Sequence, residues 1–203
     1  LVAFANETAS ESPAPGGGSI SAYVGALGVS LGTMVANLSA GKKGWEDRWE
    51  EFSNWAEKGQ AYKKRMLQLV DEDTAAFNLI MEAFKLPKGT DEEKAARKAA
   101  IQAATKKAIE VPFEAMETAY KSMEVMKAMV ENGNPNSITD AGVGALCART
   151  AVIGAHMNVR INAAGFNDKA FLEDILGRAA KIEKEAIALE ADIIALVNKA
   201  ISA

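Results

Sequence analysis

Residues 10–37 read SESPAPGGGSISAYVGALGVSLGTMVAN, and the fold of the chain follows from how this stretch is read. A proline-bracketed triple glycine, Gly16, Gly17 and Gly18, runs into Ser19 and then into small residues with almost no charge. Glycine reaches backbone conformations closed to other residues and lets a second backbone or a ligand come close. Ser19 stands where it can cap a helix, whose first N–H groups would point back at the loop and could hold an anion or a polar ligand edge. A tight helix start without any ligand fits the same residues. The stretch is not the phosphate-cradling GxxxxGK[ST] loop, and no strand precedes it. Beyond the turn, Ile20, Val24, Leu27, Leu31, Met34 and Leu38 recur at helical spacing. Gly25, Gly28, Gly32 and Ala36 form a second stripe that leaves room for a neighbouring helix. Residues 20–40 carry no charge and have the length of a membrane span. Their content argues otherwise, because Ser21, Ser30, Thr33, Asn37 and Ser39 are polar, and Gly and Ala replace the Leu and Phe of a span. A buried core helix is expected.

Gly41-Lys42-Lys43-Gly44 breaks that helix, and a second is expected over residues 45–84. It is amphipathic, with Trp49, Phe52, Trp55, Leu67, Val70, Phe77 and Ile80 on apolar faces and Gly59 as a kink or short break. Leu86-Pro87-Lys88-Gly89 ends it. Thr90 and Glu93 make a capping box for a helix from Asp91 towards Glu110. Pro112 kinks that helix or starts a new one running to about Glu131. Residues 132–136, NGNPN, form a loop by their chemistry, and Ser137 or Thr139 caps a helix to about Ala163. Gly165 ends it, and Asn167 or Asp168 starts a last long helix to about Ile201 with Phe171, Ile175, Ile182, Leu189, Ile193 and Val197 on one stripe. No segment alternates with period two for long enough to make a strand. Long helices with short linkers point to an all-α antiparallel bundle, one domain over residues 1–203, and a homodimer is the expected association.

Composition narrows the function classes. Among the 203 residues, 49% are hydrophobic, 25% charged and only 6% aromatic, which suits closely packed helices in a globular protein. The net charge of −4 supplies no basic field to draw in nucleic acid. Cys147 is the one cysteine and His156 the one histidine, so an internal disulfide is excluded and a structural zinc site is not expected. The count fits a reducing compartment, and no basic-then-apolar leader stands at the start, so a cytoplasmic location is expected.

Few residues are placed for chemistry. His156 lies in the apolar run AVIGAHMNVRIN and reads as a satisfied histidine; Cys147 has no sequence neighbour to lower its pKa and reads as a small core residue. Asp71, Glu72 and Asp73 fall inside the second helix, where about 100° per residue keeps them off a common face. Asp71 and Asp73 therefore diverge, and one can be solvated while the other turns inward. A solvated charged turn is the plain alternative. An inward Asp in an uncharged pocket would have a raised pKa and could take or give a proton. Asn158 and Asn162, four apart, share a face and need partners, structural or ligand. Asp140 reads as a first-turn acid.

Taken together, residues 12–22 (SPAPGGGSISA), 69–77 (LVDEDTAAF), 86–94 (LPKGTDEEK), 134–140 (NPNSITD) and 154–162 (GAHMNVRIN) resemble the cyclodeaminase domain of the formiminotransferase-cyclodeaminase family. The likeness runs from about Thr8 into the last helix. It implies an all-helical, dimeric fold and a folate substrate in one-carbon transfer downstream of histidine breakdown. The reaction it implies is ring closure of 5-formimidoyltetrahydrofolate to 5,10-methenyltetrahydrofolate with loss of ammonia. It implies no metal or redox cofactor beyond the tetrahydrofolate itself, and a formiminotransferase as a possible partner. In the family the second Asp of V-D-x-D looks like the proton acceptor, which here is Asp73. The resemblance further suggests that Pro15, Gly16, Gly17, Gly18 and Ser19 line a polar edge of the folate, with Asp140, Asn158 and Asn162 hydrogen bonding to it. Lys42, Lys43 and Arg48 could meet its glutamate tail, although an ordinary exposed basic turn suits them better. Related single-domain proteins open the methenyl bridge with water, so a methenyltetrahydrofolate cyclohydrolase is the alternative. A folate-holding or oligomerisation module without turnover is the alternative of another class.

Overall fold

The computed structural model describes residues 1–202, and its regular elements there are all helical. They are α1 (Val2–Thr8), α2 (Gly17–Ala40), α3 (Trp49–Lys85), α4 (Asp91–Asn132), α5 (Ile138–Ala163) and α6 (Lys169–Ile201). Single 3-10 turns at Glu46–Arg48 and Pro135–Ser137 lead into α3 and α5. Helices α2 to α5 run up and down as a bundle in which α2 packs on α3, α4 and α5, and α6 lies across α4 and α5. The antiparallel all-α arrangement is the expected one. The short α1, whose Phe4 ring packs 5.2 Å from Tyr23, was not expected.

Helix α2 is buried on its small-residue side. Gly18, Ala22, Gly25, Ala26, Val29, Gly32 and Ala36 are enclosed, whereas Leu27, Met34 and Leu38 are exposed. The large stripe read from the sequence is thus the outward one. The reason is geometric: α2 and α5 cross with Gly28 against Gly144, and a Cβ on Gly28 would sit 2.7 Å from the Gly144 carbonyl oxygen and 2.9 Å from Cys147 Cβ. Only the small face admits backbones that close. Two spans, Gly17–Ala40 and Pro135–Ala163, are long and apolar enough to cross a membrane by length and composition. Of those windows 61% and 44% are buried within the molecule, so in this fold both serve as bundle helices.

Helix α3 begins at Trp49 rather than Trp45, because residues 45–48 tighten into a turn that stacks Trp45 on Phe52 at 5.5 Å. Gly59 makes no break; it is buried where α3 meets Thr33 of α2. Trp49 and Leu67 face solvent rather than the core. The Thr90–Glu93 capping box opens α4 as expected, and Asp168 caps α6 by accepting from the Phe171 N–H at 3.1 Å. Helix α4 runs unbroken through Pro112 for 42 residues. Proline has no N–H for the carbonyl four residues back. That carbonyl, Ala108 O, instead accepts from Asn162 Nδ2 of α5 at 2.8 Å.

Candidate active site

The N-terminus of α2, the middle of α3, Ala108 of α4 and the end of α5 enclose a cleft of about 210 Å³. Ser19 does not cap α2. The helix starts at Gly17 with Gly16 as its extended N-cap, which puts Ser19 inside the first turn. From there its hydroxyl donates to Asp73 Oδ2 at 2.7 Å, and its backbone N–H faces the same carboxylate. The first N–H groups of a helix lack internal partners and favour an anion. The Asp73 carboxyl, arriving from α3, takes the place of a cap.

Gly18 makes this approach possible. A Cβ there would lie 2.6 Å from Asp73 Cγ and 2.7 Å from Oδ2. Burial pushes the Asp73 carboxyl above its ordinary value, opposed by the Ser19 hydroxyl and N–H, which favour the anion. The divergence across the acidic trio is also as expected. Asp71 is exposed, while Glu72 turns to Arg65, whose guanidinium also holds Glu114 of α4 at 2.6 and 2.8 Å. This clamp fixes α3 on α4 one residue before Asp73.

From α5, Asn158 and Asn162 both line the cleft. Asn158 donates to its own Gly154 carbonyl at 2.9 Å and lies beside Gly17, whereas Asn162 is tied to Ala108 O. The sequence left structural and ligand partners open; both amides have structural partners and stand at the cleft.

Other expected site residues lie elsewhere. The loop lines the cleft with Pro13, Ala14, Gly16 and Gly17, and not with Pro15. Asp140 is in the first turn of α5, 18 residues before Asn158, about 27 Å away along the same helix at 1.5 Å per residue. It belongs to the far end of the bundle, where the Asn134 N–H donates to Ser39 Oγ at the end of α2. An unbroken antiparallel helix cannot bring both of its ends to one site. Lys42, Lys43 and Arg48 follow α2 at that same far end, with Lys42 over the Trp45 ring and Arg48 paired to Glu51. His156 is buried against Glu183 of α6, as its satisfied reading anticipates. Cys147 is half-buried, beside Gly28, and burial raises its thiol pKa.

Thr74, Phe77 and Ile80 line the cleft and escaped the sequence reading, which assigned the two apolar residues to the core. The available signal was helical: positions 73, 77 and 80 share a face. Among the described residues no three His, Cys, Asp or Glu side chains converge to hold a metal ion.

The sequence model of formiminotransferase-cyclodeaminase matches residues 1–181. The chain belongs to the formiminotransferase-cyclodeaminase family. Within it, a methenyltetrahydrofolate cyclohydrolase of Methylorubrum extorquens is 37% identical over 199 residues, covering 98% of this chain and 96% of that protein. The formimidoyltransferase-cyclodeaminase of Gallus gallus is 34% identical over 98% of this chain, which spans 37% of the larger protein. The crystal structure of formiminotetrahydrofolate cyclodeaminase from Thermotoga maritima superposes with a TM-score of 0.87 at 25% identity, covering 99% of this chain and 96% of that one. The family of folate one-carbon enzymes expected from the five motifs is therefore the family found.

Proposed function

We propose that the chain is a formimidoyltetrahydrofolate cyclodeaminase with Asp73 as its proton carrier. The observation that carries this is a half-buried carboxylate held at a helix N-terminus, the sole ionisable side chain among the residues lining the cleft. N10 attacks the formimidoylium carbon and a C–N10 bond forms. The N10 proton passes to Asp73, which delivers it to the exocyclic nitrogen. The N5 lone pair then expels ammonia and leaves the 5,10-methenyl cation, with Asp73 ionised again. Holding N10 against the carbon turns an encounter into an oriented closure, and the shuttle lowers the cost of both proton transfers. The cleft is smaller than the roughly 300–1,000 Å³ of sites that enclose a whole ligand, so the folate seats its ring edge and leaves the tail outside. No cofactor beyond the tetrahydrofolate enters this scheme.

A second reading has its own support, since the cyclohydrolase of M. extorquens matches this chain from end to end. Water would then add to the methenyl carbon while Asp73 takes its proton. Recording methenyl absorbance and ammonia together, with 5-formimidoyltetrahydrofolate as substrate, separates the two. Ammonia released in step with the bridge is expected. Turnover of preformed methenyltetrahydrofolate alone would give the second reading. Because Asp73 must be ionised to accept, and burial raises its pKa, the rate should fall on the acid side above the ordinary carboxylate range.

The reading includes a homodimer in the cytoplasm, handing folate on from a formiminotransferase, with neither nucleic acid nor membrane as partner. The dimer has a candidate face. Leu27, Met34 and Leu38 of α2 are exposed alongside Val143, Leu146, Met157 and Ile161 of α5, and Leu31 Cβ lies against Gly144 between them. An exposed apolar face of this kind is one that a second copy of the chain could cover. Leu146→Arg should convert a dimer to a monomer in sedimentation; an unchanged mass would move the interface elsewhere.

A further inference from the structure

Hydroxyls on the helices of this protein have a common habit. Ser21, Ser30, Thr33, Ser39 and Thr105 each donate to the carbonyl four residues back, at 2.6 to 2.8 Å. Thr74 has the same option on α3 and does not take it. Its Oγ1 lies 3.3 Å from Ser19 Oγ across the α2–α3 seam. A serine hydroxyl has one proton to give. Ser19, wholly buried, gives it to Asp73 Oδ2, so while that carboxyl is ionised Thr74 is the donor in the Ser19–Thr74 contact. The three groups form a one-way chain ending on the carboxylate.

We propose that Thr74 is a positioning residue, whose hydroxyl commits the Ser19 proton to Asp73 Oδ2 and leaves Oδ1 as the oxygen that exchanges the substrate's proton. The role rests on the assignment of Asp73 made above. Without the Thr74 donor, one of the two contacts that orient the Ser19 hydroxyl is gone, and it holds Asp73 less firmly. The carboxylate then loses part of the bond that favours its charged form, and a weaker bond to the anion raises the pKa. No other charge on the surrounding helices competes for this control. In α2 the only ionisable side chain is Tyr23. On α3, Asp71 is solvated and Glu72 is held by Arg65. On α4, Lys107 is exposed and lies towards Glu114, and Lys106 reaches Glu110 and the Phe171 ring. On α5, Arg160 is exposed, Arg149 turns to Glu190 and His156 to Glu183. A chain of donors aimed at one oxygen also explains how a symmetric carboxylate acquires a single working edge.

The test compares Thr74→Val, which keeps the branched shape without the hydroxyl, with Thr74→Ser, which keeps the hydroxyl. The Asp73 carboxyl is titrated by carbon NMR in the free protein, and kcat and KM are followed against pH. In Thr74→Val the midpoint should rise by about half a unit, about threefold in proton affinity. The acid limb of kcat should move with it, and kcat should drop about tenfold with KM within about twofold. Thr74→Ser should restore all three. A Thr74→Val protein whose Asp73 midpoint and acid limb stay at their original values overturns the proposal, even if it melts earlier. Should the unaltered chain turn over neither folate, the functional reading fails separately, and the titration in the free protein still decides the role of Thr74.

Discussion

Asp73→Asn will turn over neither 5-formimidoyltetrahydrofolate nor methenyltetrahydrofolate at a useful rate, with kcat reduced about a thousandfold or more, within the range assigned to general acid–base catalysis. The large effect follows from the double duty the proposed mechanism gives one group, which would take a proton from N10 and return it to the leaving nitrogen. The fold should survive. An asparagine oxygen can still accept from Ser19, and the carboxylate is a cost to the native state. Burial holds the native carboxyl above its unfolded value, so the native protein binds this proton more tightly than the unfolded chain does. As pH rises from the ordinary carboxylate range through the native value, the cost of ionising Asp73 grows, and it is complete above that value. Asparagine carries no such cost. The variant should therefore melt at or above the original temperature near neutral pH, and the gain should shrink in acid. Methenyl absorbance and thermal denaturation at two pH values check both halves. Turnover within about tenfold of the unaltered enzyme would remove Asp73 from the mechanism.

Gly18→Ala should cost about a hundredfold in kcat without unfolding the protein. Its added Cβ would lie 2.6 Å from Asp73 Cγ, too close for any nonbonded carbon, so the carboxyl has to retreat from α2. A displacement of about 1 Å at the reacting group is worth about two orders of magnitude. The backbone itself permits the change, since among the described residues Gly44 alone has positive φ. Alanine also favours a helix over glycine by up to about 1 kcal/mol. Gly17→Ala is the control. Its Cβ would come no closer than 3.3 Å to Asn158 Nδ2, a contact that a small side-chain shift relieves, and it should retain most activity. Steady-state kinetics on the pair, with melting curves alongside, give the comparison. Equal rates in the two variants would mean that the carboxyl does not need its seat on α2.

Local chemistry made most of the helices legible in the sequence. The Thr90–Glu93 box, the Asp168 cap and the breaks at residues 41–44 and 86–89 act within a few residues, and each is where its spacing put it, whereas Gly59 and Pro112 interrupt nothing because neighbouring helices accommodate them. Helix geometry likewise separated Asp71 from Asp73, because two residues of helix divide their directions, but it was the family likeness that singled out Asp73. What the sequence hid was pairing between helices. Ser19 looked like a cap until α3 brought a carboxyl to it. The outward turn of Leu27, Met34 and Leu38 depends on which face of α2 the backbone of α5 can approach. Asp140 was placed at the site through the family likeness, without regard to the length of α5. Thr74 adjoins the Asp73 carboxylate in sequence, yet its partner is 55 positions away.

Pro112 leaves a gap in the ladder of α4, and the amide that fills it comes from a different helix. Without Asn162 that carbonyl would lose its partner beside Pro112, which has no N–H to offer it. At this level α5 is therefore joined to α4 by a side chain where the ladder of α4 is open. The wall of the cleft rests on that joint, so a replacement of Pro112 would reach the site through Asn162 without lining it.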